Sequence, residues 1–183
     1  MIRDGEVLLH KKTGSKIVII QSAVDTNGEW LEIEQIIKPN AFLLPAHIHA
    51  NQTEEWQVIS GSAIYQLEDE YRSLLPGETV TFLPGVAHVN PRSASEVDLQ
   101  VRMRVSPALD FHVLLDTIMR ACDYGHERPG GTLSRLHGAV LLHGLQSKIY
   151  LVNRPIWLQK LMLPILSLIG RLAGYRVQYP EIR

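Results

Sequence analysis

Cysteine is nearly absent: Cys122 stands alone in a chain of 183 residues. One thiol excludes an intramolecular disulfide and fits a reducing compartment, so a cytoplasmic location is expected. Cys122 itself reads as a small buried apolar side chain on a helix. Charge of one sign is lacking too. Lysine and arginine number 18 against 19 acids, and that balance gives no electrostatic case for nucleic acid or an anionic membrane. Residues 1–6 lack the apolar stretch of a secretory signal. No run reaches the ~20 apolar residues that span a bilayer. The most apolar segment, 156–173, is interrupted by Gln159, Lys160, Pro164 and Arg171. There is no Gly-x-Ser-x-Gly elbow, no phosphate-cradling glycine loop, no Cys-x-x-Cys and no aromatic-basic stripe, which removes several reaction classes at once.

What is there is ordinary globular material, long enough for one sizeable core with or without an appendage. Residues 1–107 read as short strands separated by turns. Lys16–Val24 is β-branched and apolar, and Asp25-Thr26-Asn27-Gly28 signals a hairpin. In Trp30–Lys38, Leu31, Ile33, Gln35 and Ile37 share one face, and Glu32 and Glu34 the other. Val97–Val105 alternates most cleanly, with Val97, Leu99, Val101, Met103 and Val105 inward. Arg102 and Arg104 then read as a solvated pair. After Pro107 the period lengthens. Ala108–Tyr124 and Thr132–Leu145 read as helices. Arg128–Gly131 reads as a linker, and Lys148–Val152 as a strand or a helical continuation. Ile156–Ala173 reads as a helix bent at Pro164. The expectation is a mainly β chain: an antiparallel barrel over 1–107 and a helical extension over 108–183. The extension is expected to pack on the barrel or across a homodimer interface, because its last helix is apolar around most of its circumference. Contact of 156–173 with a membrane surface is the less favoured alternative.

The sharpest signal is His47-Ile48-His49, with Glu54 five residues on and His88 beyond a Pro-Gly turn. Histidines at i and i+2 of a strand project to one face. Three imidazoles and a carboxylate suit one divalent first-row metal such as iron, manganese, nickel, copper or zinc. Each residue alone is ordinary. His47 and His49 read as surface residues, His88 as a turn residue and Glu54 as a strand-edge charge. Together, at these spacings, they read as ligands. Glu55 is expected to point outward by strand alternation. His10, His112, His126, His137 and His143 show no ligand spacing, and surface or capping roles are expected for His112, His126 and His137.

The two segments read His47-x-His49-x4-Glu54-x6-Gly61 and Gly77-x5-Leu83-x-Gly85-x2-His88. This pattern resembles the two signature motifs of the cupin superfamily over roughly residues 30–106. The match departs at Ala41, where a glycine is usual, at Leu83-Pro84, where the proline is shifted by one, and at Arg92, where an asparagine is usual and Asn90 stands two places early. The resemblance implies a jelly-roll barrel with His47, His49, Glu54 and His88 as metal ligands. It does not choose a reaction.

Trp56 and Val58 follow Glu54 at even spacing. With Leu99, Val101 and Met103 they are expected to line an apolar substrate pocket. Glu54 is expected to serve as ligand and as catalytic base. The leading expectation is a metal-dependent oxidoreductase of the dioxygenase kind, acting on a small, largely apolar organic molecule. The alternatives are a non-catalytic sensing module and a metal-dependent isomerase or cyclase.

Overall fold

The computed structural model describes residues 2–39, 41, 44–125, 127–128 and 132–179. The strands in chain order are β1 Val7–Leu9, β2 Lys16–Gln21, β3 Leu31–Ile37, β4 His47–His49, β5 Thr53–Ser60, β6 Ala63–Leu67, β7 Glu70–Leu74, β8 Thr79–Phe82, β9 His88–Ser93 and β10 Leu99–Ser106. Helix α1 (Phe111–Arg120) follows and runs into a 3-10 turn at Ala121–Tyr124. Then come a short hairpin, β11 Glu127–Arg128 with β12 Thr132–Leu133, helix α2 Arg135–Gly144, strand β13 Ile149–Leu151 and helix α3 Ile156–Leu172. The side chain of Cys122 and residues 129–131 of the expected linker lie outside what is described.

Two antiparallel sheets face each other as a jelly roll. One runs β1-β2-β3-β10-β5-β8 and the other β13-β4-β9-β6-β7. Strand alternation explains why. In β10, Leu99, Val101, Met103 and Val105 are buried, and the residues between them are not. Their inward faces meet Ile33 and Ile37 of β3 and Trp56 and Val58 of β5 in one core. On the outer face the register sets Arg102 opposite Glu34 and Arg104 opposite Glu32. Those pairs close at 2.6 and 2.5 Å, so the expected solvated arginines are cross-strand ion pairs. Val97 does not join the strand. It is 59% exposed, and its carbonyl accepts from the Ser93 hydroxyl in a turn. Gly61, between β5 and β6, sits at φ +85°, and a Cβ there would lie 2.9 Å from the Asp98 carbonyl oxygen. A side chain is therefore excluded on conformation and on space.

The extension does more than pack. Its strand β13 pairs with β4, setting Ile149 opposite His49 and Leu151 opposite His47. Helix α1 buries Phe111, Leu114 and Met119. Asp110, just before it, accepts from the backbone N–H groups of Gln146 and Ser147 at 2.6 and 2.8 Å and from the Ser147 hydroxyl at 2.8 Å. That clasp ties α1 to the entry of β13.

Helix α3 packs within this chain against α2. Only Gln159, Ser167 and Gly170 are buried, on a narrow face against α2. The helix runs on through Pro164. Its burial follows the small and amide residues because they permit close approach: a Cβ on Gly170 would lie 2.6 Å from Val140 Cγ2 and 2.9 Å from the Leu136 carbonyl oxygen. Gln159 bridges back to β13, donating to Leu151 O and accepting from Leu151 N at 2.7 and 2.9 Å.

Candidate metal centre

Strand geometry brings the four motif residues to one point. His47 and His49 are buried with Ile48 between them on the opposite face. His47 sits across from His88 on β9. Glu54 comes from β5 in the other sheet and is fully buried, while Glu55 is exposed. The cluster therefore bridges the two sheets. One donor atom from each of His47, His49, Glu54 and His88 lies within 4.8 Å of all the others. That is about the span of ligands on opposite sides of a first-row ion, whose bonds run ~2.0–2.2 Å.

Each imidazole is anchored through Nδ1. The His47 Nδ1 lies 2.9 Å from Pro45 O, the His88 Nδ1 3.0 Å from Val86 O, and the His49 Nδ1 3.4 Å from Gln52 Oε1. A carbonyl can only accept, so Nδ1 carries the proton in each ring and Nε2 is the ligand atom. Gln52 is itself fixed, donating from Nε2 to Pro107 O at 2.9 Å. Glu54 Oε2 accepts from Trp56 Nε1 at 3.0 Å, and its Oε1 lies 3.1 Å from His49 Nε2. His88 Nε2 is 3.6 Å from Glu54 Oε2, beyond hydrogen-bond length.

The residues present fit a metal. His47 Nε2 and His88 Nε2 are buried and have no hydrogen-bond partner, and buried Glu54 Oε1 meets only His49 Nε2. Bare buried polar atoms cost about 1–3 kcal/mol each, and one cation at their centre satisfies all three. The electrostatics agree. Burial, with His88 nearby, pushes His47 down to about 3, so it is a neutral ligand. Burial alone would favour protonated Glu54. The facing His49 outweighs it and holds the carboxyl well below its usual range. His49 is raised in turn, because the Glu54 charge outweighs the burial that opposes it.

A cavity of about 110 Å³ opens onto His47, His49 and Glu54. Trp56 and Met103 form its barrel wall. Phe111, Leu114 and Ile118 of α1 and Ile149 of β13 close the rest. Besides the ligands and the Trp56 indole, its polar side chains are the amides of Gln35 and Asn90. Asn90 Oδ1 is buried with no partner. Val58, Leu99 and Val101 were expected here and are not among the lining residues. The register pairs Trp56 with Met103 and Val58 with Val101, so Val58 and Val101 lie one rung further from Glu54, in the core. Gln52, Asn90, the α1 residues and Ile149 were missed. Asn90 stood in the sequence as a displaced motif residue. Gln52 is marked only by its place in the turn after His49.

The other histidines stay away from the cluster. His10 is buried; contrary to the surface or capping role expected, His137 is buried too, and its ring stacks on Tyr175 at 5.0 Å. His143 is exposed, and His126 lies outside the described residues.

No protein-family model and no curated protein matches the chain. Solved structures do. KdgF from Halomonas sp. is 20% identical, with 54% of this chain and 84% of that one covered and a TM-score of 0.46. An RmlC-like cupin from Shewanella frigidimarina is 17% identical, covering 55% and 83%, with a TM-score of 0.45. A predicted oxalate decarboxylase from Thermotoga maritima is 13% identical, covering 58% and 98%, with a TM-score of 0.47.

Proposed function

We propose that this barrel, a cupin in fold with a His-His-Glu-His cluster, is a metal-dependent oxidoreductase of the dioxygenase kind for a small, largely apolar organic molecule. The observation that carries the reading is the make-up of the cavity wall. Among the described residues, it holds outside the ligand set no side chain that exchanges protons near neutral pH. Isomerase or cyclase chemistry draws on a positioned acid and base, and among the described residues the one carboxylate on the wall is Glu54, itself a member of the cluster. A bound first-row metal supplies Lewis-acid and one-electron chemistry at its open positions.

The chain's own residues do the rest. Pro45, Val86 and Gln52 hold the three imidazoles in one tautomer and orientation. The Trp56 N–H fixes one Glu54 oxygen. Phe111, Leu114 and Ile118 keep water from the cavity and contact an apolar body. Asn90 Oδ1 is placed to accept a hydrogen bond from a single donor group, such as a phenol or enol hydroxyl.

Oxygen uptake tests this. With ferrous iron and small catechols or β-diketones, uptake should require both metal and substrate and should vanish in His49→Ala. Turnover without oxygen uptake would reassign the site to isomerisation. Saturable binding without turnover would make the protein a sensing module.

A further inference from the structure

The outward face of α3 is apolar from end to end. Trp157, Leu161, Ile165, Leu168 and Leu172 recur at spacings of four, four, three and four, so they form one stripe along the helix. They are 68, 58, 50, 61 and 82% exposed. The helix is inside-out relative to one lying on a globular core: its buried face carries Gln159, Ser167 and Gly170. The stripe is not the mark of an undocked element. Gln159 is bonded to both backbone groups of Leu151, and Gly170 sits against α2.

Charge along this part of the chain is of one sign. No aspartate or glutamate stands between Glu127 and Glu181, while Arg128, Arg135, Lys148, Arg154, Lys160, Arg171 and Arg176 do. The net charge of −1 conceals this, because 18 of the 19 acids precede residue 128. Lys160 and Arg171 are exposed. At 3.6 residues per turn they fall roughly 90° to one side of the stripe, where long cationic side chains can reach a headgroup layer while the stripe lies below it. The helix has 17 residues, about 26 Å at 1.5 Å each, and no helix among the described residues is long and apolar enough to cross a membrane.

We propose that α3 docks this protein on an anionic phospholipid surface, with the Trp157–Leu172 stripe at the acyl-chain boundary and Arg154, Lys160 and Arg171 on headgroup phosphates. A second copy fits less well. Antiparallel twofold packing of stripe on stripe sets the Lys160 and Arg171 flanks of both copies on one edge, with no carboxylate on α3 to offset them.

The test is vesicle co-sedimentation of the full chain, using phosphatidylcholine alone or with about a third phosphatidylglycerol. Binding should be at least roughly tenfold stronger with the anionic lipid and should weaken as salt rises. Leu161→Glu with Leu168→Glu, both at exposed positions, should abolish it. Lys160→Gln with Arg171→Gln should erase the preference for anionic lipid. Trp157 emission should shift to the blue on binding, assigned by its loss in Trp157→Phe. Three results would overturn the proposal: no binding to anionic vesicles, binding unchanged in the double glutamate variant, or a dimer that the glutamates dissociate and that ignores lipid.

Discussion

At the residue scale, the ligand set was legible because ligand identity and strand period are both local properties of sequence. Two histidines at i and i+2, and a carboxylate at a fixed distance from a turn glycine, encode their own geometry. What orients them was not legible, because those partners come from elsewhere in the chain. Gln52 is placed by carbonyls 55 and 56 residues away. Its role gives a sharp expectation. Gln52→Ala should leave the barrel folded and lower metal affinity about 10–100-fold, as loss of a partner to a ligating histidine does; competition with a chromogenic chelator would measure it. His49→Ala should lose most of the bound metal with little change in far-UV circular dichroism, since the core does not need the ion to fold. Asn90→Leu should raise KM and leave metal content alone, because it touches the cavity and not the cluster.

At the element scale, burial was less legible. Apolar content alone does not say which face of α3 meets α2, because close approach decides that packing, and close approach is set by the smallest residues. Gly170→Ala should force α2 and α3 apart at the cost of overpacking, about 1–3 kcal/mol, read from urea unfolding. The expected pocket erred on a related point. Periodicity showed which face of β5 and β10 points in, but not where along the strands the cavity ends, because α1 and β13 draw that boundary. The Asp110 clasp that seats both can be tested by acid. Burial opposes ionisation of Asp110, but bonds from Gln146 and Ser147 prevail and hold its pKa below the usual value. Its contribution is therefore present above the unfolded pKa near 3.8 and is lost as pH falls through the folded value. Asp110→Ala should cost roughly 1 kcal/mol at neutral pH, after allowance for solvent screening at a half-exposed site. The gap between variant and wild type should narrow as pH falls below about 3.8.

At the scale of the whole molecule, the jelly roll was readable from many short alternating strands. The one long-range pairing that completes the metal-bearing sheet was not. Lys148–Val152 is too short and ambiguous to name its partner, and nothing local says that it returns to β4. That pairing has a consequence for synthesis. The chain leaves the ribosome from its N-terminus, and β4 emerges about a hundred residues before β13, its neighbour in the sheet. At the 5–20 residues per second of translation, the edge that carries His47 and His49 stays open for on the order of 5–20 s. Later in that interval, once His88 has emerged, three imidazoles and a carboxylate are on a nascent chain whose closing strand is still absent and cannot restrict which cation they meet. Metal choice is thus exposed to the ion pool of the translating compartment before the finished cavity can impose its own.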